Sequence, residues 1–227
     1  MYRERAAVGI PGAVVWRSDA GAGGRVTRVL PDGCLDLLWS SRAGLLVAGP
    51  DRTAHVSTSV PGERWVGLRL PPGTGPAVLG VPAHDLRDQR VPLIDLLGAA
   101  AHPVAELPVG AVAAALEGIA VARLRAAGGP DPLGARVAAR LAAGATVAAT
   151  AAEVGLGPRA LHRRSLALFG YGPKTLARIL RMRRALALAR AGAPWAEVAA
   201  RAGYADQAHL TRDVRDLAGV PPTALTG

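Results

Sequence analysis

Two short stretches of the chain carry side chains that can read or grip a nucleic acid. Arg159, His162 and Arg163 lie on one, and Gln207, His209 and Arg212 on the other. Arginine forks onto guanine, glutamine onto adenine, and histidine reaches base edges or phosphates. Arg159, His162 and Arg163, at spacings of three and four, share one face of an α-helix. Arg178, Arg181, Thr211 and Arg215 are candidates for phosphate contact, with Arg183 and Arg184 beside the first two. A solvated helix face is an equal reading of that arginine cluster. A different chemistry is grouped earlier, in Trp16, Cys34, Asp36, Trp39 and Trp65. Indoles around one thiol and one carboxyl suit an apolar pocket for a small-molecule effector. Core indoles and a buried, inert thiol are the competing reading. Asp32 and Asp36 beside Cys34 push its pKa up, so a reactive thiol needs a nearby arginine.

Charge separates the two groups. The 227 residues carry a formal charge of +10, and 26 of the 27 bases are arginine, Lys174 being the other. Residues 1–130 hold 13 Arg against 11 Asp and Glu, a net +2. Residues 131–227 hold 13 Arg and Lys174 against 6 acids, a net +8. The pull toward a polyanion therefore belongs to the second part. With half its residues hydrophobic, the chain has the composition of a folded protein.

Other chemistries lack their residues. One cysteine, Cys34, excludes an internal disulfide framework and a multi-thiolate zinc site. His55, His84 and His102 have no metal-ligand spacing, so no metal is expected. Neither a nucleophile elbow, a P-loop nor a dinucleotide fingerprint occurs, so neither a catalytic residue nor a cofactor is expected. No signal peptide or membrane-length apolar run is present, and a soluble, cytoplasmic protein is expected.

The elements that must position these residues differ between the two parts. Short Val-, Leu- and Trp-rich runs predict strands at Ala13–Arg17, Arg25–Leu30, Cys34–Ser40, Leu45–Gly49, His55–Val60 and Arg64–Leu70. Gly, Pro and Asp clusters punctuate them, as in an antiparallel barrel or sandwich. Alternation puts Cys34, Asp36 and Leu38 on one face of their strand, and Leu35, Leu37 and Trp39 on the other. A short turn at Ala83–Leu86 and helices at Pro92–Ala101 and Val109–Ala127 follow. The last helix is read either as a transmitter or dimer surface, or as a cover packed on the strands.

The basic part repeats itself. Val147 onward matches Trp195 onward, with Gly155 and Gly203 paired at an offset of 48. One inserted residue later, Leu161/Leu210, Arg163/Arg212, Gly170/Gly219, Pro173/Pro222 and Leu176/Leu225 pair at 49. Each copy reads as helix, glycine turn, helix, glycine: a helix-turn-helix unit. Leu161, Leu166 and Leu168, and in the second copy Leu210, Val214 and Leu217, supply buried faces. An uninterrupted helix at Pro173–Ala191 joins the units and spans about 28 Å. On such a rod two recognition helices can reach successive major-groove openings ~34 Å apart.

With the repeat in view, AGYADQAHLTRDVRDLAGVPPTAL and FGYGPKTLARILRMRRAL resemble the DNA-binding domain of the AraC/XylS transcriptional regulators. That resemblance implies seven helices and specific binding to double-stranded DNA. It also implies activation through RNA polymerase and base reading by Arg159, His162, Arg163, Gln207, His209 and Arg212. Ser165 and Val214 depart from it, standing where relatives often have a large aromatic. VLPDGCLDLLW, VAGPDRTAHVS and the stretch from Gly67 to Gly98 are similar to a small β-rich, cupin-like sensor domain. The expected architecture is a sensor at 1–129 and a DNA-binding domain at 130–227. An effector in the sensor would change docking of the DNA-binding half or formation of a homodimer. Two rivals stand beside this. One is a Cys34-based redox or alkylation sensor, or methyl acceptor, coupled to DNA binding. The other is a DNA-packaging protein without sequence preference.

Overall fold

The computed structural model of the protein describes residues 2–101 and 107–226. Its strands are β1 (Tyr2–Ala6), β2 (Val14–Asp19), β3 (Arg25–Val29), β4 (Leu35–Ser40), β5 (Gly44–Ala48), β6 (His55–Ser59), β7 (Arg64–Leu70) and β8 (Arg90–Pro92). Six form one antiparallel sheet in the order β1-β2-β7-β4-β5-β8, and β3 and β6 pair separately as a two-stranded sheet. The architecture is therefore a sandwich, not a closed barrel. Strands β1 and β8 have no counterpart in the sequence reading. Every residue of β1 is exposed, so no apolar alternation marks it, and β8 is three residues ending in a proline.

Alternation sorts the faces of the large sheet. Leu35, Leu37 and Trp39 pair with Leu70, Leu68 and Val66 across β4 and β7, and all six are buried in one core. The opposite face carries the pairs Asp36/Arg69 and Leu38/Gly67. The core face is covered by α1 (Gly75–Leu79), α2 (Leu93–Leu97) and α3 (Val109–Ala126). On α3, Val112, Leu116 and Ala120 are fully buried, so this helix covers the sheet. Its Glu117, 7% exposed, takes Arg5 of β1 through two hydrogen bonds of 2.8 and 2.7 Å and the Val8 amide through a third. His102 lies outside the described residues.

A second core begins at Val137 and is built from helices, with Tyr171 and Tyr204 added from the turns between them. It gathers α4 (Pro132–Ala142), α5 (Val147–Glu153), α6 (Pro158–Phe169), α7 (Pro173–Arg190), α8 (Trp195–Ala202) and α9 (Gln207–Ala218), closed by a 3-10 turn at Pro222–Leu225. Helices α5–α6 and α8–α9 are the two repeat copies. Capping follows the sequence: Asp131, Thr146 and Asp206 accept amides at the starts of α4, α5 and α9. Gly170 and Gly219 end α6 and α9 in the left-handed region, at φ 82° and 73°. The 18-residue α7 spans about 27 Å and buries Leu176, Ile179, Met182, Ala185 and Leu186 between the copies.

The two parts touch backbone to backbone. A Cβ placed on Gly73, before α1, would lie 3.0 Å from the Cα of Gly134 in α4. One on Gly170 would meet Pro50 Cγ at 2.6 Å. No helix among the described residues is long and apolar enough to cross a membrane.

Candidate DNA interface and ligand cavity

The second helix of each repeat copy divides its faces cleanly. On α6, Leu161, Ser165, Leu168 and Phe169 are buried, while Arg159, His162 and Arg163 are exposed. On α9, Leu210, Val214 and Leu217 are buried, and Gln207, Arg212 and Arg215 are exposed. Ser165 and Val214, the two departures from the resemblance, are both core positions, and the Ser165 hydroxyl has no hydrogen-bond partner among the described residues.

Several of these polar groups already have local duties. His209 takes the Ala205 amide on Nδ1 and lies edge-on to Tyr204, which leaves Nε2 for an outside partner. Thr211 returns its hydroxyl to the Gln207 carbonyl. His162 rests over Gly172, where a Cβ would come within 2.7 Å of its ring. Arg159, Arg163, Arg212 and Arg215 have neither a hydrogen bond nor an ion pair among the described residues. Four free guanidinium groups on two recognition helices form a basic surface ready for phosphates or base edges.

Arg178 and Arg181 are placed differently from the phosphate contacts expected of them. Arg178 Nε and Arg181 Nη2 both donate to Asp213 of α9, at 2.6 and 2.8 Å. Arg181 also lies 4.2 Å from the Tyr204 ring centroid. Burial opposes ionisation of Asp213, but the two arginines outweigh it and hold its carboxyl below the usual range. These residues fix α9 on α7. Arg184 likewise donates inward, to the Ala202 carbonyl at the end of α8 and to Ala142 at the end of α4.

The polar face of the large sheet and the inner face of β3–β6 enclose a cavity of about 560 Å³. Trp16, Cys34, Asp36 and Trp65 line it, while Trp39 does not: β4 turns that side chain into the core. The Trp16 ring lies flat over Gly67, where a Cβ would be 2.2 Å from Cε2, and its Nε1 donates to Asp36 at 2.8 Å. Tyr2 stacks on Trp16 at 6.1 Å. Trp65 reaches across to the small sheet, donating to Ser59 Oγ.

Electrostatics bear on the thiol. Burial, then Asp32 and Asp36, push Cys34 well above its ordinary pKa, and Arg69 only partly offsets them. Burial also raises Asp36, to about 6, against the opposing pull of Arg69. Arg69 Nε stands 3.5 Å from Asp32 and 3.7 Å from Asp36 without a hydrogen-bond partner. The sequence reading missed Arg69, although it follows Trp65 and Gly67 at the two-residue period of β7. It also missed Arg183 and Arg190, which α7 contributes to the wall. No local signal links that helix to a strand 150 residues earlier.

The fold sets two helix-turn-helix units in tandem, each with an exposed, basic second helix. Residues 150–226 match the helix-turn-helix domain family, and residues 13–92 match a domain of unknown function (DUF6597). ToxT from Vibrio cholerae O395 is similar in fold at 8% identity and TM-score 0.50, covering 99% of this chain and 96% of that one. ToxT bound to (E)-4-(8-methylnaphthalen-1-yl)but-3-enoic acid is similar at 10% identity and TM-score 0.50, covering 99% and 98%. A probable AraC family transcriptional regulator from Rhodopseudomonas palustris CGA009 shares 23% identity over 42% of this chain and 95% of its own, at TM-score 0.37. No curated protein matches the chain significantly. Residues 150–226 thus carry a helix-turn-helix domain, preceded by a β-rich domain, in a chain whose fold is similar to that of ToxT.

Proposed function

We propose that the chain activates transcription from a specific operator under the control of a small molecule held in the 560 Å³ cavity. A sensor at 1–129 and a DNA-binding domain at 130–227 divide the work. Arg159, His162 and Arg163 read one major-groove segment, and Gln207, His209 and Arg212 read the next. Thr211 and Arg215 hold phosphates. Trp16, Cys34, Asp36 and Trp65 contact the effector, and RNA polymerase and a second copy of the chain are the expected protein partners. One observation carries this reading: the cavity wall is shared by sensor strands and by α7, the rod that joins the two DNA-reading units. A ligand there touches both domains at once. Its size falls within the range of small-molecule sites, and ToxT, of similar fold, is itself seen with a bound aromatic acid.

Selection of bound sites from a random duplex pool tests the reading, with a defined consensus expected. On that consensus, Arg163→Ala or Arg212→Ala costs about 1–3 kcal/mol of affinity while affinity for unrelated duplex stays near wild type. Equal losses on both duplexes would demote these residues to phosphate contacts. Equal affinity of the wild-type chain for all duplexes at fixed salt would overturn the proposal.

A further inference from the structure

The first turn of α9 fixes which hydrogen-bonding group His209 can offer. Asp206 caps the helix by accepting the His209 backbone amide at 2.6 Å. The turn before it closes on the side chain, with the Ala205 amide donating to His209 Nδ1 at 3.3 Å. A backbone amide can only donate, so Nδ1 holds a lone pair and the one proton of the neutral imidazole sits on Nε2. Moving that proton to Nδ1 would set two N–H groups face to face and leave the Ala205 amide without its partner.

The ring is held in place as well. Tyr204 meets it edge-on, with centroids 5.2 Å apart and planes at 86°. Arg181 lies over the Tyr204 ring at 4.2 Å and is itself tied to Asp213. Tyr204 is buried and belongs to the helical core. A stack of guanidinium, phenol and imidazole thus runs from α7 to the start of α9. At its outer end, His209 Nε2 has no partner among the described residues and is not sealed off from solvent.

His162 on α6 is not committed in this way. Its ring rests over Gly172, and neither of its nitrogens has a hydrogen bond among the described residues. It can present a donor or an acceptor. His209 presents a donor alone, from the third residue of its helix. Recognition helices bring such N-terminal residues to base edges.

Major-groove edges answer a lone donor unequally. Guanine offers two acceptors, N7 and O6, and no donor. Adenine sets an amino group beside its N7, thymine a methyl beside its O4, and cytosine offers only an amino group. That last group would point its hydrogens at the Nε2 proton.

We propose that His209 is a specificity-determining residue that selects guanine through an Nε2–H donor, its tautomer set by the Ala205 amide. This rests on the DNA-reading role given to α9 above and adds the base and the atom that reads it.

Two measurements on the full chain test it. Nitrogen-15 NMR of the histidine rings, in mildly alkaline buffer and without DNA, is expected to show a pyrrole-type Nε2 and a pyridine-type Nδ1 at His209. Selection from a random duplex pool is then compared between wild type and His209→Asn. The asparagine keeps an acceptor near the place of Nδ1 for the Ala205 amide but ends short of Nε2. One consensus position is expected to be guanine in the wild type and to lose its preference in His209→Asn. On single duplexes the wild type favours guanine over cytosine there by about threefold to tenfold, the worth of one hydrogen bond. A protonated Nδ1, or a base other than guanine at the position that His209→Asn alters, would overturn the proposal. A consensus identical in wild type and His209→Asn would defeat this proposal alone and leave His209 the duty of closing the turn. A wild-type chain that selects no consensus would defeat the DNA-reading role with it.

Discussion

Replacing Asp213 with alanine probes the joint that sets how α9 lies on α7. The carboxylate is 5% exposed and accepts from Arg178 at 2.6 Å and Arg181 at 2.8 Å. Charged hydrogen bonds contribute roughly 1.5–3 kcal/mol each. The arginine side chains are 42% and 24% exposed, so water partly replaces what they lose and the lower end applies. Alanine returns about 0.5 kcal/mol through better helix propensity. The expected net loss is about 2–3 kcal/mol, read by urea denaturation near neutral pH followed by far-ultraviolet circular dichroism. The loss depends on pH in a defined sense. The arginines hold Asp213 below its ordinary pKa, so the wild-type advantage is complete above about pH 3.9, the unfolded value. It fades as pH falls through the lower folded value. A double-mutant cycle with Arg181→Ala is expected to show coupling of about 1–2 kcal/mol. A loss under about 1 kcal/mol, or coupling near zero, would refute the claim that Asp213 fixes the helix.

Three further outcomes follow from the cavity. Gly67→Ala places a Cβ where the Trp16 ring now lies; about 1–3 kcal/mol of stability is lost, and the Trp16–Asp36 hydrogen bond breaks, both measured by denaturation and indole fluorescence. Asp36, raised to about 6 by burial, costs the folded state stability as pH rises from about 4, the unfolded value, through 6. Denaturation curves at a series of pH values should show Asp36→Asn lacking that decline. Cys34, pushed up by burial and two aspartates, is expected to react at least about tenfold more slowly with a thiol reagent in the native chain than after unfolding. A fast native reaction would restore the thiol-sensor reading.

The helical half was the more legible because its signals are local. Glycines at the ends of α6 and α9, prolines at the starts of α6 and α7, and a repeated apolar spacing all act within a turn or two of the residues they govern. In the strand half, the two-residue period placed Asp36 and Trp39 on opposite faces of β4, and that geometry is what separates the cavity from the core. What stayed hidden depends on distant pairs. Arg178 and Arg181 read as free surface charge because their partner, Asp213, is more than 30 residues away. Strand β1 is held by its pairing with β2 and by Glu117 on α3, neither of which shows in its own exposed residues. The hydrogen bonds from Arg28 to the Ala218 carbonyl and from Arg87 to the Gly170 carbonyl span 190 and 83 residues.

Helix α7 has consequences for how this architecture can be taken apart. One side of it is the core of the DNA-binding half, and Arg183 and Arg190 on it complete the wall of the other half's cavity. The halves are thus not interchangeable modules. Grafting the β-rich part onto a foreign DNA reader leaves its cavity open on one side. Grafting the helical part elsewhere strips the donors from Leu217, Ala218 and Gly170. A chimera that keeps the cavity intact must carry the strands and that one helix together.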